Sequence, residues 1–177
     1  MAKNFKRLLP DEYVPSIHDY DFDAAREKGK RLILFDIDNT MVPHDAPADQ
    51  RVKDLVKDLK QKGFVFCGIS NNRKPRVQSF CDTVDVPYVV RAGKPGRRGY
   101  MEALRKCGAR PEEALFFGDQ IFTDIWGANR AGIDSVLVKP VDFKTDKIQI
   151  RLKRLLEKPL IRSFFREKGL AIYDYFH

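Results

Sequence analysis

Between residues 31 and 138 short apolar runs alternate with longer stretches of helical period. The runs RLILFDI, FVFCGIS, PYVVRA, ALFFGD and IDSVLVKP are continuous rather than alternating, as strands covered on both faces are. Between the first two, Val52, Leu55, Val56 and Leu59 fall on one helical face, with Asp49, Lys53, Asp54, Lys57 and Asp58 on the wet side, and the pattern stops at QKG. Further helices are predicted over 74–82, 96–107 and 122–131. Strands that alternate with helices predict an α/β, doubly wound, Rossmann-like three-layer sandwich whose mainly parallel sheet has about five strands. In such a sheet ligands sit at the carboxyl ends of the strands. Those ends carry Asp36 and Asp38, then Ser70 and Asn71, then Lys94, then Asp119.

The flanks are less regular. Residues 1–30, with Pro10, Pro15, Tyr13, Tyr20 and Phe22, read as an irregular leader packed over the sheet edge. Past Pro140, Ile148, Leu152, Leu155 and Leu156 form one helical stripe. Pro159 interrupts it, and Leu160, Ile161, Phe164 and Phe165 resume it, which predicts two short basic amphipathic helices. Such a tail either docks its apolar face on the domain or contacts an anionic membrane.

Length and composition narrow the class. At 177 residues the expectation is one domain, 1–177, with a core at about 31–140 and the helical tail at about 141–177. No apolar run nears the roughly 18 residues of a membrane span, and the N-terminal stretch lacks the apolar core of a signal peptide, so a cytoplasmic protein is expected. Cys67, Cys81 and Cys107, odd in number and widely spaced, read as reduced thiols. His18, His44 and His177 are too scattered for a histidine-metal site. The net charge is +8, and Lys139–Lys168 holds ten Lys or Arg against four Asp or Glu, so +6 of it lies in the tail. An acidic partner is implied, whether lipid, nucleic acid or protein.

The pieces DIDNT, GISNN, AGKPG and GDQIFTD are each weak signals alone. In this order, at successive strand ends and with complementary charges, they resemble the haloacid dehalogenase (HAD) superfamily of phosphohydrolases. The flanks LILFDIDNTMVP, AGKPGRRGY and FFGDQIFTDIWGANRAGI are similar to subfamily IIIA, in particular YqeG-like proteins and the related phosphatidylglycerophosphate phosphatases. The resemblance implies Asp36 as nucleophile forming an aspartyl phosphate, and Asp38 as general acid and base. It also implies Mg²⁺ held by Asp36, Asp119 and the backbone carbonyl of Asp38, with Asp124 on a metal-bound water. Ser70, backbone amides near Asn71, and Lys94 would bind the phosphoryl group. Thr40 is expected to fix loop geometry, and Asn39 receives no role. The second aspartate favours phosphate hydrolysis over the dehalogenase and ion-pump branches.

Relatives that act on small metabolites usually insert a cap domain. Here Met41–Ile69 spans 29 residues and Asn71–Gly93 spans 23, each filled by a helix and a strand. An uncapped site implies a large phosphorylated substrate or coverage by oligomerisation, and Arg73, Lys74, Arg76, Arg97 and Arg98 suggest a basic rim. The expected activity is a Mg²⁺-dependent phosphomonoesterase, with phosphatidylglycerophosphate, a lipid phosphate, as favoured substrate. A nucleotide or nucleic-acid end phosphatase is the alternative, weakened by the lack of a clear set of aromatics in a basic groove. An interaction protein retaining the fold is the alternative from another class.

Overall fold

The computed structural model describes residues 7–172 and 175, Thr145 without its side chain. The first six residues of the leader, part of the stretch read for a signal peptide, and His177 lie outside them. Six parallel strands form one sheet: β1 (Glu12–Val14), β2 (Leu32–Phe35), β3 (Val65–Ile69), β4 (Tyr88–Val89), β5 (Ala114–Gly118) and β6 (Asp134–Val138). Their order is β1-β6-β5-β2-β3-β4. Around them lie α1 (Phe22–Glu27), α2 (Gln50–Gln61), α3 (Lys74–Thr83), α4 (Arg97–Lys106), α5 (Trp126–Ala131) and α6 (Ile148–Lys168).

The four residues of β2 are all buried, and their two faces feed different layers. Ile33 and Phe35 pack with Val52, Val56 and Phe80, whereas Leu32 and Leu34 pack with Tyr100, Ala103 and Ala128. Helices thus cover both faces, which is why the strand sequences do not alternate. Asp49 caps α2 by accepting from Val52 N–H at 2.8 Å, and Gly63, at φ 87°, follows its end. One helix, α2, joins β2 to β3 and one, α3, joins β3 to β4; no cap domain is inserted at either place.

The expected sheet of about five strands gains a sixth from the leader. Pro10 and Pro15 leave room for only a short strand, and β1 pairs with β6 in the register Glu12 to Val136. Asp11 holds the start, its carboxylate accepting from Ser135 N–H at 2.8 Å. The added strand covers what would be an open sheet edge.

The tail is one helix of 21 residues, not two, and Pro159 lies inside it on an exposed face. Only the second half of the predicted stripe docks: Leu160, Ile161, Phe164 and Phe165 pack with Ile121, Ile125 and Leu137. In the first half Ile148, Leu152, Leu155 and Leu156 are exposed, and Arg154 and Glu157 are buried. Pro159 removes only a bond to a carbonyl on the wet side, so water replaces the lost donor and the helix continues. Among the described residues no helix is long and apolar enough to cross a membrane.

Candidate active site

The strand order reverses direction at β2, whose neighbours are β3 and β5, and the crevice beyond such a reversal is where ligands bind. Asp36 immediately follows β2, Ser70 follows β3 and Asp119 follows β5. Lys94 enters from the loop beyond β4, positioned by Asn71. The Asn71 side chain accepts from Lys94 N–H at 2.8 Å and donates to Lys94 C=O at 3.1 Å. The Asn71 side chain therefore holds the lysine loop. Ser70 Oγ accepts from Asn72 N–H at 3.1 Å, and both residues line the pocket together with Asp36 and Lys94. The pocket has a volume of about 160 Å³ and lies open to solvent.

Beyond Gly118 the chain makes a π-helical turn, Ile121–Ile125, that brings Asp124 back under the strand end. Lys94 Nζ donates to Asp36 Oδ1 at 2.5 Å and to Asp124 Oδ1 at 2.6 Å. Asp119, fully buried, accepts from the Thr40 hydroxyl at 3.4 Å. Asp38 points elsewhere. Its Oδ1 accepts from Arg76 Nη2 at 2.8 Å and from Asp45 N–H at 2.9 Å, and its Oδ2 accepts from Asn72 Nδ2 at 2.6 Å.

Asp36, Asp119 and Asp124 each present a carboxylate oxygen within 4.8 Å of the others. Burial pushes the Asp36 carboxyl well above the usual carboxylate range; Lys94 pulls it down, while Asp124 and Asp119 push it up. The Asp119 carboxyl is pushed up to about 6 by burial, with Arg154 opposing. Burial works against the Lys94 ammonium, yet Asp124 and Asp36 outweigh it and hold its pKa above that of an ordinary lysine. These shifts have one cause, which is negative charge crowded out of water. Fully ionised, Asp36, Asp119, Asp124 and Asp146 form their side-chain ion pairs, among the described residues, with Lys94 and Arg154, so four carboxylates share two bases. A hard divalent cation offsets such an excess and takes oxygen ligands, so the donor set fits Mg²⁺. The carboxylate of Asp38 is outside this cluster.

Several residues of the site were not foreseen. Arg76, read as part of a basic rim, is turned inward onto Asp38. Asn39, at φ 64°, donates to Asp146 Oδ1 at 2.7 Å and accepts from Asp142 N–H at 3.1 Å, tying the segment before α6 to the first motif. Arg154 reaches Asp119 from α6. Helical phase was the available signal for Arg154: counting back from Phe164 through Ile161 at steps of three and four gives Glu157 and Arg154. Ending the helix at Pro159 concealed it.

An uncapped parallel sheet with acidic ends on its central strands is the architecture of the HAD-like hydrolases. A family model described as HAD-hydrolase-like matches residues 91–152. The chain is 32% identical over 170 residues to the probable phosphatase YqeG of Bacillus subtilis, covering 96% of both. It is 25% identical over 189 residues to phosphatidylglycerophosphate phosphatase 1, chloroplastic/mitochondrial, of Arabidopsis thaliana, covering 99% of this chain and 53% of that protein. Among solved structures, the cobalt-bound deoxy-D-mannose-octulosonate 8-phosphate phosphatase of Haemophilus influenzae superposes with a TM-score of 0.53 at 10% identity. That match covers 77% of this chain and 90% of the other, and it bears on the fold alone. The chain belongs to the YqeG family of HAD-like phosphatases.

Proposed function

We propose that the protein is a Mg²⁺-dependent phosphomonoesterase acting through an aspartyl phosphate on Asp36, with phosphatidylglycerophosphate as the favoured substrate. The observation that carries the reaction is the convergence of Asp36, Lys94 and the buried acidic cluster on one open pocket. Asp36, Asp119, Asp124 and the Asp38 carbonyl would hold the cation. When bound, it neutralises charge on the carboxylates and the phosphate. Lys94 occupies Asp36 Oδ1, and Oδ2 is the oxygen that attacks phosphorus. As the P–O bond to the alcohol breaks, Asp38, released from Arg76 and Asn72 and protonated from solvent, gives that proton to the leaving oxygen. Asp38 then takes a proton from the water that attacks the aspartyl phosphate, and inorganic phosphate leaves with Asp36 restored. Ser70, with the amides of its loop, and Lys94 bind the phosphoryl oxygens. Asn72 and Arg76 hold Asp38 until substrate arrives.

Three features favour a lipid phosphate. The Arabidopsis relative is a phosphatidylglycerophosphate phosphatase, the site has no cap, and α6 sets exposed apolar and basic side chains beside the pocket, which Ile150 and Lys153 help to line. The protein would then meet its substrate as a peripheral protein at an anionic bilayer. The test is hydrolysis by the purified protein with Mg²⁺, comparing an aryl phosphate, phosphatidylglycerophosphate, sugar phosphates, nucleotides and end-phosphorylated oligonucleotides. Asp36→Asn should abolish turnover of every substrate, and Asp38→Ala should form the phosphoenzyme slowly without steady-state turnover. Turnover retained by pure Asp36→Asn protein would refute the mechanism. A preference for nucleotides or oligonucleotides would replace the lipid reading.

A further inference from the structure

The inner face of α6 closes the back of the acidic cluster. Arg154 donates from Nη2 to Asp119 Oδ2, and from Nη1 to the Asp119 carbonyl at 3.2 Å. The same guanidinium donates from Nε to Asp146 Oδ2 at 2.5 Å. Asp146 is anchored in turn, its Oδ1 accepting from Asn39 Nδ2 at 2.7 Å and its carbonyl from Arg151 Nε at 3.0 Å. The Phe143 ring lies 5.3 Å from the guanidinium carbon. A continuous relay thus runs from the loop after β2, through Asp146 and Arg154, to Asp119, the residue that follows β5. Asn39, Asp146, Arg154 and Asp119 are all buried.

Stability alone is a poor reason for this arrangement. Two buried acids on one buried base cost desolvation that apolar packing would avoid. What the arrangement supplies is direction: a planar guanidinium gripped by two carboxylates has no freedom to turn, and it grips both the side chain and the backbone of Asp119.

We propose that Arg154 is a positioning residue of the metal site, fixing the orientation of the Asp119 carboxylate so that divalent-cation affinity depends on helix α6. This rests on the reading of Asp36, Asp119 and Asp124 as that site. Two opposed effects make the proposal sharp. Removing a positive charge beside the cluster makes it more negative, so electrostatics alone predicts tighter cation binding. Loss of orientation predicts weaker binding, by the ~10–100-fold typical of groups that orient metal ligands.

The experiment is calorimetric titration of Mn²⁺ into the substrate-free, metal-stripped 177-residue protein, with folding checked by circular dichroism. Arg154→Met should weaken binding at least tenfold. Arg154→Lys, which keeps the charge but cannot span both carboxylates, should fall between it and the wild type. Arg162→Ala, on the exposed side of the same helix, should leave binding unchanged. Folded Arg154→Met protein that binds Mn²⁺ as well as or better than the wild type overturns the proposal. If that variant does not fold, Arg154→Lys decides: the charge is kept and only the grip on the two carboxylates is lost, so binding should weaken at least threefold, and unchanged binding overturns the proposal. Wild-type protein that binds no Mn²⁺ would instead break the metal reading itself.

Discussion

At Gly118 the chain leaves no room for a side chain. A Cβ there would lie 2.4 Å from Asp124 Cβ, 2.8 Å from its Cγ and 2.8 Å from a Phe116 ring carbon. The close approach lets the π-helical turn fold Asp124 under the strand end, where Lys94 meets it. Gly118→Ala should therefore push Asp124 away from Lys94. We expect aryl phosphate turnover to fall at least tenfold and stability to fall by about 1–3 kcal/mol, the usual cost of overpacking. Steady-state assay and urea denaturation of one preparation check both, and a variant matching the wild type in each would show that the strand end can yield. At this scale the sequence was readable where chemistry is local. Asp36, Ser70 and Asp119 directly follow apolar runs, so their place in the sheet followed from strand ends. The partners of Asp38 were not readable, because Arg76 reaches it only once α3 packs beside β2, and in the sequence it is one of several basic residues.

Helix α6 inverts the usual logic of an amphipathic element. Its first half buries charge and exposes hydrocarbon, while its second half does the reverse. Glu157 is the extreme case: it is fully buried, and its Oε1 accepts from Phe122 N–H at 2.9 Å. Among the described residues its Oε2 has no hydrogen-bond partner. Burial pushes this carboxyl up from 4.5 to about 7, the Phe122 amide and Arg154 opposing. A carboxyl raised in the folded state favours folding while protonated, so its contribution is full below pH 4.5 and is lost as pH rises through 7. Glu157→Gln, neutral throughout, should be more stable than the wild type above pH 7 by on the order of 3 kcal/mol. The difference should shrink toward zero near pH 4.5. Urea midpoints of both proteins across this range read it directly, and a difference independent of pH would remove the titration of Glu157 as its source. Helical period marked both halves of α6, and Pro159 hid their unity. A proline stops a helix reliably only when the lost donor is out of reach of water, and exposure is a tertiary property.

For the molecule as a whole, the open question is what meets the outer face of α6. Ile148, Leu152, Leu155 and Leu156 are 75%, 59%, 57% and 67% exposed, an apolar stripe that monomeric soluble surfaces rarely carry. From Lys147 through Arg166 the only acidic residue is the buried Glu157, so the exposed charges that this stretch of the helix itself carries are all positive, although the exposed Asp45 lies 3.9 Å from Lys147 at its start. A second copy of the chain docked on it would set like charge against like charge, whereas an anionic bilayer complements both the hydrocarbon and the bases. Each Lys or Arg near such a surface contributes about 1 kcal/mol at ordinary ionic strength. Ile150 and Lys153 of the same helix line the pocket, so a bilayer seated on the stripe would lie beside the pocket mouth. Replacing the four exposed residues together by serine should leave aryl phosphate hydrolysis within about twofold of the wild type, because surface changes of this kind disturb stability little. Co-sedimentation with vesicles containing phosphatidylglycerol should be lost, and hydrolysis of phosphatidylglycerophosphate in those vesicles should fall at least tenfold. Wild-type binding should weaken in high salt and on phosphatidylcholine vesicles, as an electrostatic contribution requires. Equal sedimentation by the serine variant would exclude the stripe as the docking surface. A wild-type dimer by analytical ultracentrifugation that the substitutions dissolve would assign the stripe to a second copy instead.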